Sequence, residues 1–422
     1  MTVKKHPCFD KSSIGQCGRV HLPVAPKCNI KCNYCNRKYD CVNESRPGVT
    51  SSVLKPHQAL EYLHKVMAAA PNTTVVGIAG PGDPMANPVE TLETMRLAKE
   101  HYPDLLFCLS SNGMNMPPYL DRLKELGVTH ATITMNAVDS DIGEKIYSWA
   151  RDGKVIYRKG NAAKVLIERQ LESIKGLVER GIIVKVNTIV VPGVNDHHVE
   201  EVAKVAGELG ATLQNCIPLY PTADTPFAAV PEPTHAMIKE LRKVAGVHVT
   251  QMTHCKRCRA DAVGLLEADR SGEFAETLSQ CSRLLPTSEN ESRPYVAVAT
   301  REGLLVNMHL GETRTFQIWG PSPSGSGFCK IMDRAAPASG GGAKRWAALA
   351  DVLKDCRAVL VAAMGDTPRL LLEENGLPAH AVSGFITDNL DALYRTGDLS
   401  AFSARKARAC GGGCSGGGEG CG

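Results

Sequence analysis

The sequence has little net charge: 48 Lys and Arg against 44 Asp and Glu leave +4 over 422 residues. A balance that small gives no electrostatic reason to expect nucleic acid or an anionic membrane as partner. No apolar run approaches the roughly 18 residues that cross a bilayer. Residues 1–10 are polar and lack the apolar stretch of a secretory signal. No internal repeat stands out. These absences set the expectation of a cytoplasmic chain without membrane or nucleic-acid partners, long enough for two or three domains. What abounds is cysteine, with sixteen residues. A reducing compartment does not sustain a disulfide framework, so clustered cysteines read as metal ligands. Cys8, Cys17, Cys28, Cys32, Cys35 and Cys41 crowd the N-terminal stretch, Cys255 and Cys258 form a CxxC, and Cys410, Cys414 and Cys421 lie in a glycine-rich tail.

Apolar runs at 20–24, 75–79, 105–110, 129–135, 183–190 and 212–218 alternate with helical spacing at 56–70, 89–101, 163–180, 199–209 and 233–245. Pro56 and Pro233 suit a first helical turn. Six β/α units predict a parallel sheet curled into a partial (βα)6, TIM-like barrel, with the chemistry at the C-terminal strand ends. This domain is expected over 1–285, with a polar linker at 286–294. A small α/β domain is expected over 295–403. Its strands are predicted at 295–300, 304–308, 315–319 and 358–363, with a helix at 345–356 and a Pro/Ser/Gly-rich loop over 321–342. Residues 404–422 cannot bury a core and are expected to form a flexible tail.

The decisive motif is Cys28-Asn-Ile-Lys-Cys32-Asn-Tyr-Cys35. Three thiolates on one tight loop hold three irons of a cubane and leave the fourth open to a chelating ligand. The competing reading is zinc, which favours four closed ligands and CxxC pairs. Gly80-Pro81-Gly82-Asp83-Pro84 follows the second predicted strand, where glycines expose backbone to a ligand. A plain strand-to-helix turn uses the same residues. Ser110, Asn112, Thr134, Asn136, Asn187, Asn195 and Asp196 lie at later strand ends and suit ribose, carboxylate or adenine as well as ordinary turns. His197 and His198 read as residues of a helix start. Cys17, Cys216, Cys281, Cys329 and Cys356 have no partner at ligand spacing and read as structural.

The cysteine loop resembles that of radical S-adenosylmethionine (SAM) enzymes. Further stretches resemble the NifB family of nitrogenase cofactor maturases. They are His6-Pro7-Cys8, residues 24–27 leading into the cysteine loop, Asn36-Arg37-Lys38-Tyr39-Asp40-Cys41, Asn43-Glu44-Ser45-Arg46-Pro47-Gly48-Val49, residues 79–84 and 191–196, and residues 255–264. The resemblance implies a SAM-binding [4Fe–4S] cluster on Cys28, Cys32 and Cys35, with Gly80, Gly82, Asp83, Ser110, Asn112, Asn136 and Asn187 as candidates for holding SAM. It implies two further [4Fe–4S] clusters as substrate, held by Cys8, His21, Cys41, Cys108, Cys255 and Cys258. On pattern alone His21 and Cys108 would be core residues. The implied reaction fuses the two clusters with insertion of a SAM-derived carbide and a sulfur, giving the precursor of the iron–molybdenum cofactor. Glu44 and Arg46 are candidate catalytic groups beside Cys41, and equally a structural ion pair.

Residues 293–403 resemble the NifX-type cofactor-carrier domain, carried by residues 296–300, 306–311 and 359–365, which implies an RNase H-like fold. His309 follows a predicted strand there and suits a cluster contact or a solvated loop. Implied partners are an external one-electron donor (a ferredoxin or flavodoxin), an Fe–S cluster donor, and downstream carrier or scaffold proteins. Two other readings compete. One is a different radical SAM enzyme, MoaA-like or peptide-modifying, which needs no extra ligand set. The other is a non-enzymatic Fe–S scaffold, which needs no SAM site.

Overall fold

The strands of the parallel sheet follow the apolar runs of the sequence. In the first unit the strands are β1 (Gly18–His21), β2 (Ile30–Cys32), β3 (Thr73–Ile78), β4 (Leu106–Ser111), β5 (Val128–Thr134), β6 (Tyr147–Asp152), β7 (Val155–Arg158), β8 (Ile183–Val190), β9 (Leu213–Pro218) and β10 (Val263–Gly264). The computed structural model describes residues 6–41, 49–284, 292–322, 327–338, 342–395 and 397–403. The chain divides into two units, Met1–Ser282 and Arg283–Gly422.

The first unit's main sheet runs β10–β1–β3–β4–β5–β8–β9. Its six longer strands are parallel and ordered as in the sequence, while β10 pairs antiparallel with β1. Parallel neighbours require crossovers. These contain α1 (Pro56–Ala69), α2 (Pro88–His101), α3 (Leu120–Glu125), α4 (Ser140–Ile146), α5 (Gly160–Glu179) and α6 (Val199–Glu208), with α7 (His235–Ala245) and α8 (Ser271–Cys281) following β9. β9 and β10 are opposite edges, so the sheet is a curled half-barrel rather than a closed one. Val20, Val76, Phe107, Ile133 and Val184 anchor its core.

Pro56 opens α1 as expected. Pro233 does not open α7: the helix starts at His235, because Thr234 is extended and its hydroxyl caps the Met237 N–H at 3.2 Å. A three-stranded antiparallel ribbon, β2–β6–β7, stands outside the expected scheme and carries Cys32 opposite Tyr147.

The second unit holds one sheet of order β13–β12–β11–β14–β15, built from β11 (Tyr295–Val298), β12 (Thr315–Pro321), β13 (Phe328–Ala335), β14 (Cys356–Val361) and β15 (Ala379–Ala381). β11, β12 and β13 are antiparallel neighbours, while β14 and β15 run parallel to β11. α9 (Ala343–Val352), α10 (Asp366–Glu374) and α11 (Ile386–Arg395) complete it. Three expectations are corrected. Residues 304–308 form no strand, because the Asn307 amide turns back to Arg301 N (3.0 Å) and Glu302 (2.9 Å), a local alternative to a ladder. Part of the expected 321–342 loop is β13, an edge strand whose polar residues masked its period. The helix ends at Val352 and Cys356 begins a strand. The tail beyond 403 and residues 285–291 of the expected linker lie outside the described residues.

Candidate functional site

A cavity open to solvent, with about 420 Å³ of empty space counted out to its mouth, is lined by Cys28, Cys32, Cys35 and Cys41 together with Tyr34, Arg37, Gly82, Asp83, Ser110, Ser111, Asn112 and Thr134. Beyond β1 the chain stays pinned to the end of β3, with Leu22 N on Gly77 O (2.9 Å) and Ala25 N on Gly80 O (3.2 Å). That places Cys28 at the sheet's end. β2 then fixes Cys32, and the Lys31 ammonium donates to Cys35 O at 2.5 Å. Asn112 Nδ2 lies 3.8 Å from Cys28 Sγ. Burial pushes the Cys28 thiol up to about 12 and raises Cys32 well above its ordinary value, so in the bare chain these thiols hold their protons until metal displaces them. The donors are soft thiols, and Ile30 and Tyr34 supply the apolar part of the lining. Among the described residues no three His, Cys, Asp or Glu converge tightly enough for a single ion. Thiols spread around a larger body fit a cubane better than a closed zinc site.

The Gly80–Pro84 turn brackets this loop. A Cβ on Gly82 would lie 2.1 Å from Lys27 O, and Gly82 N donates to Ala25 O at 2.6 Å, so only glycine fits. Asp83 is fully engaged by protein. Its Oδ1 accepts from Met85 N (2.9 Å) and Ala86 N (3.2 Å), and its Oδ2 accepts from Asn112 N (2.6 Å). The Ser111 hydroxyl lies 3.1 Å from both oxygens. Burial pushes this carboxyl above its usual range against the pull of those donors. Asp83 therefore shapes the pocket wall by tying the turn after β3 to the end of β4. Ser110 differs: its hydroxyl is buried without a protein partner, a polar atom that a ligand can satisfy.

A second cavity, of about 610 Å³, shares Ser110 with the first. It is lined by Cys8, His21, Cys108, Cys255 and Cys258, with Asn187, His6, Phe9, Gly77, Lys185 and Arg257. His21, Gly77 and Cys108 stand in register on β1, β3 and β4. The space between the two side chains exists because residue 77 has none: a Cβ there would lie 3.0 Å from both Cys108 Sγ and His21 Cδ2. His21 Nδ1 lies 2.9 Å from Arg259 O, which can only accept, so Nδ1 carries the proton and Nε2 keeps a free lone pair. Burial lowers its pKa to about 4, which keeps the ring neutral. A neutral imidazole oriented through its other nitrogen is the form that binds metal.

Cys258 accepts from Arg19 Nη2 at 3.2 Å. Arg19 is fully buried and is also held by Asp269 (2.8 Å), Gly264 O (2.6 Å) and Leu265 O (2.7 Å). Burial raises the Cys258 pKa, and the guanidinium pulls the other way, favouring thiolate. Burial pushes the Cys8 thiol up to about 12. His6 Nδ1 accepts from Cys8 N at 3.1 Å, which leaves the proton on Nε2, a buried atom with no protein partner.

Other candidates are placed elsewhere. Asn136 joins Tyr34 OH (2.6 Å) to Ile189 N (2.8 Å) behind the first cavity. Asn187 lies in the second cavity, 3.3 Å from the Asn215 amide. Gly80 lines neither cavity; its carbonyl accepts from Ala25. Asn195 pins its own turn through Val191 N (2.7 Å), and His198 Nε2 accepts from Val138 N (3.1 Å). Glu44 and Arg46 lie outside the described residues, as do Cys410, Cys414 and Cys421. In the second unit His309 Nδ1 accepts from Gly311 N at 3.1 Å. The sequence reading missed His6, Arg19, Gly77, Ser111 and Lys185. Arg19 and Lys185 were signalled by a charge inside an apolar strand, and Gly77 by a glycine among β-branched residues. Among the described residues no helix is long and apolar enough to cross a membrane.

Residues 22–206 match the radical SAM superfamily, and residues 293–396 match the family described as dinitrogenase iron-molybdenum cofactor. The chain is 46% identical over 422 residues to the FeMo cofactor biosynthesis protein NifB of Chlorobaculum tepidum, covering 100% of this chain and 99% of that one. It is 38% identical over 403 residues to NifB of Klebsiella pneumoniae, covering 88% and 86%. Among solved structures it is similar to methylornithine synthase PylB, with a TM-score of 0.38 and 14% identity, covering 56% of this chain and 71% of that one. It is also similar to SuiB of Streptococcus suis, with a TM-score of 0.40 and 11% identity, covering 55% and 47%.

Proposed function

The chain belongs to the NifB family of FeMo cofactor biosynthesis proteins, and from that premise we propose that it fuses two [4Fe–4S] substrate clusters around a SAM-derived carbide, with an added sulfur, to make the precursor of the iron–molybdenum cofactor. The observation that carries this is the pair of adjoining cavities. Five of the six side chains expected to hold the substrate clusters, Cys8, His21, Cys108, Cys255 and Cys258, line the larger one, and Ser110 borders both. A radical SAM enzyme that carries only the SAM-binding cluster has no use for a second thiol-lined chamber, and an Fe–S scaffold has none for the first.

In this reading Cys28, Cys32 and Cys35 hold the cofactor cluster. Bound with SAM, that cluster supplies the electron for reductive cleavage and so the hydrogen-abstracting radical. The chain's residues do the rest. The apolar wall of Ile30 and Tyr34 keeps water from the reactive carbon. The Ser110 hydroxyl marks the passage through which a SAM carbon reaches the substrate clusters. His21 holds iron through Nε2. A neutral imidazole is a weaker donor than a thiolate, which suits a ligand that must let the product go. Arg19 favours the Cys258 thiolate against the effect of burial, and the His6 Nε2–H is a donor for a cluster sulfide.

The test is iron content and EPR of anaerobically reconstituted protein, with and without SAM, for the wild type and a Cys28/Cys32/Cys35→Ala variant. Three cubanes predict about twelve irons per chain, about eight of them retained in the variant, with SAM perturbing only the wild-type signal. A wild type holding about four irons, all lost in the variant, would remove the cluster-fusion reading and leave a generic radical SAM enzyme.

A further inference from the structure

Reductive cleavage of SAM consumes one electron per event, and the electron must reach Cys28, Cys32 and Cys35. The nearest regular structure to that loop is the ribbon. Cys32 lies on β2, pairs with Tyr147 of β6, and β6 pairs with β7. From β2 to the outer strand is two strand spacings, about 10 Å.

The loop and the ribbon strands are themselves mostly cationic, with Glu144 of α4 beside Gly160 at the ribbon's end. Residues 27–38 include Lys27, Lys31, Arg37 and Lys38 and no acid. Among the described residues Arg37 donates only to the neutral carbonyls of Pro26 (2.7 Å) and Pro81 (3.2 Å) and forms no ion pair, while Lys38 lies 3.6 Å from Asp224. The ribbon adds Arg151, Lys154, Arg158 and Lys159, all exposed. Its one acid, Asp152, is taken by Arg169 at 2.9 Å. Among the described residues no ion pair takes any of the four ribbon cations. At the turn of the ribbon, Val155 and Ile156 are 52% and 44% exposed.

Cations on an edge strand often serve only to prevent strand pairing. That role does not call for the exposed Ile156, which pairs with Arg151 and shares its face with Arg158, while Val155 opposite Asp152 points to the other face. An apolar centre within a charged rim is the anatomy of a docking site. We infer that the ribbon β2–β6–β7, with the cationic loop before it, is the docking face for the electron donor, a small protein with an acidic rim around its redox centre. On docking, the donor's reduced centre loses one electron and the cluster gains it, with no bond made or broken and no proton moved. Opposite charges raise the encounter rate and set orientation, and weak redox encounters need little buried area. This inference rests on the radical SAM reading proposed above.

The test uses full-length protein with reconstituted clusters and the variant Arg151→Glu/Lys154→Glu/Arg158→Glu. 5′-Deoxyadenosine formation is measured with dithionite, and with reduced flavodoxin over a range of donor and salt concentrations. Dithionite is small and needs no docking face. The expected result is a dithionite-driven rate within about twofold of wild type, with the half-saturating flavodoxin concentration raised about tenfold or more and its salt dependence flattened. The charge-preserving variant Arg151→Lys/Arg158→Lys keeps wild-type donor dependence. If the triple variant fails with dithionite too, the comparison passes to Lys154→Glu alone, at an exposed turn position beside Gly153, around which nothing packs. Unchanged flavodoxin dependence, or a variant whose only change is self-association, overturns the inference and leaves the cations as edge protection. A wild type that cleaves no SAM even with dithionite sinks the underlying radical SAM reading instead, and the docking inference with it.

Discussion

A single missing side chain decides whether the second chamber can hold anything. Gly77→Val would place branched carbons where Cys108 Sγ and His21 Cδ2 are each 3.0 Å from the first added atom. Strand backbone tolerates valine, so the fold should survive at a cost of about 1–3 kcal/mol. The expected outcome is loss of the iron assigned to the substrate clusters, with the SAM-perturbed EPR signal retained. Arg19 has the opposite character. Arg19→Met leaves the partly exposed Asp269 carboxylate with only its Ser271 donors and removes the donor to Cys258, and is expected to cost about 1–3 kcal/mol in urea unfolding. Asp269→Asn should cost at least as much, because it leaves the fully buried Arg19 guanidinium without its counter-charge. Cys28, Cys32 and Cys35 were legible in the sequence because their spacing is itself the chemistry. His21 and Cys108 were not, since each alone looks like a core residue. Their meaning comes from register across three strands, which no local window contains. His6 was hidden because its place against His130 of β5 is equally non-local.

At the scale of elements, the six apolar runs became the parallel strands within two residues at each end, apart from the first. That run was expected to 24 but ends at His21, where Pro23 offers no N–H to a ladder. Strands buried on both faces announce themselves as continuous apolar runs. The ribbon did not, because β2 is three residues long and lies inside the cysteine loop. β13 did not either, because Lys330, Asp333 and Arg334 interrupt an edge strand with little buried surface. The tie between elements that bears most on the first cavity is Asp83. In Asp83→Asn, one orientation of the amide keeps an oxygen for Met85 N and Ala86 N but points an NH2 at the Asn112 N–H, now 2.6 Å from the carboxylate. The flipped orientation strands the other two donors instead. Either costs about 1–3 kcal/mol. The turn after β3 should loosen from β4, lowering the melting temperature and shrinking the further rise that SAM gives. A lowered melting temperature with an undiminished SAM effect would confine Asp83 to fold stability.

For the whole molecule, the hydrophobic clusters divide as the chain does. One set runs through Val20, Phe107 and Cys281, with the ribbon's around Ile30 and Ile217. The other is built on Phe316, Trp346 and Leu390. Each unit thus has a core of its own, the condition for folding alone. Both cavities are lined only by residues of the first unit. A chain ending at Ser282 is therefore expected to fold, to load the same iron as the full chain, and to cleave SAM with dithionite at a rate within about twofold, since nothing that lines the cavities is removed. The second unit matches a family named for the iron–molybdenum cofactor, so its contribution should appear after the chemistry. Transfer of the finished cluster to an acceptor protein should slow in the truncated chain while SAM cleavage does not. Iron loss on truncation would contradict this division of labour and assign to the second unit, or to the cysteines beyond it, a share in holding the substrate.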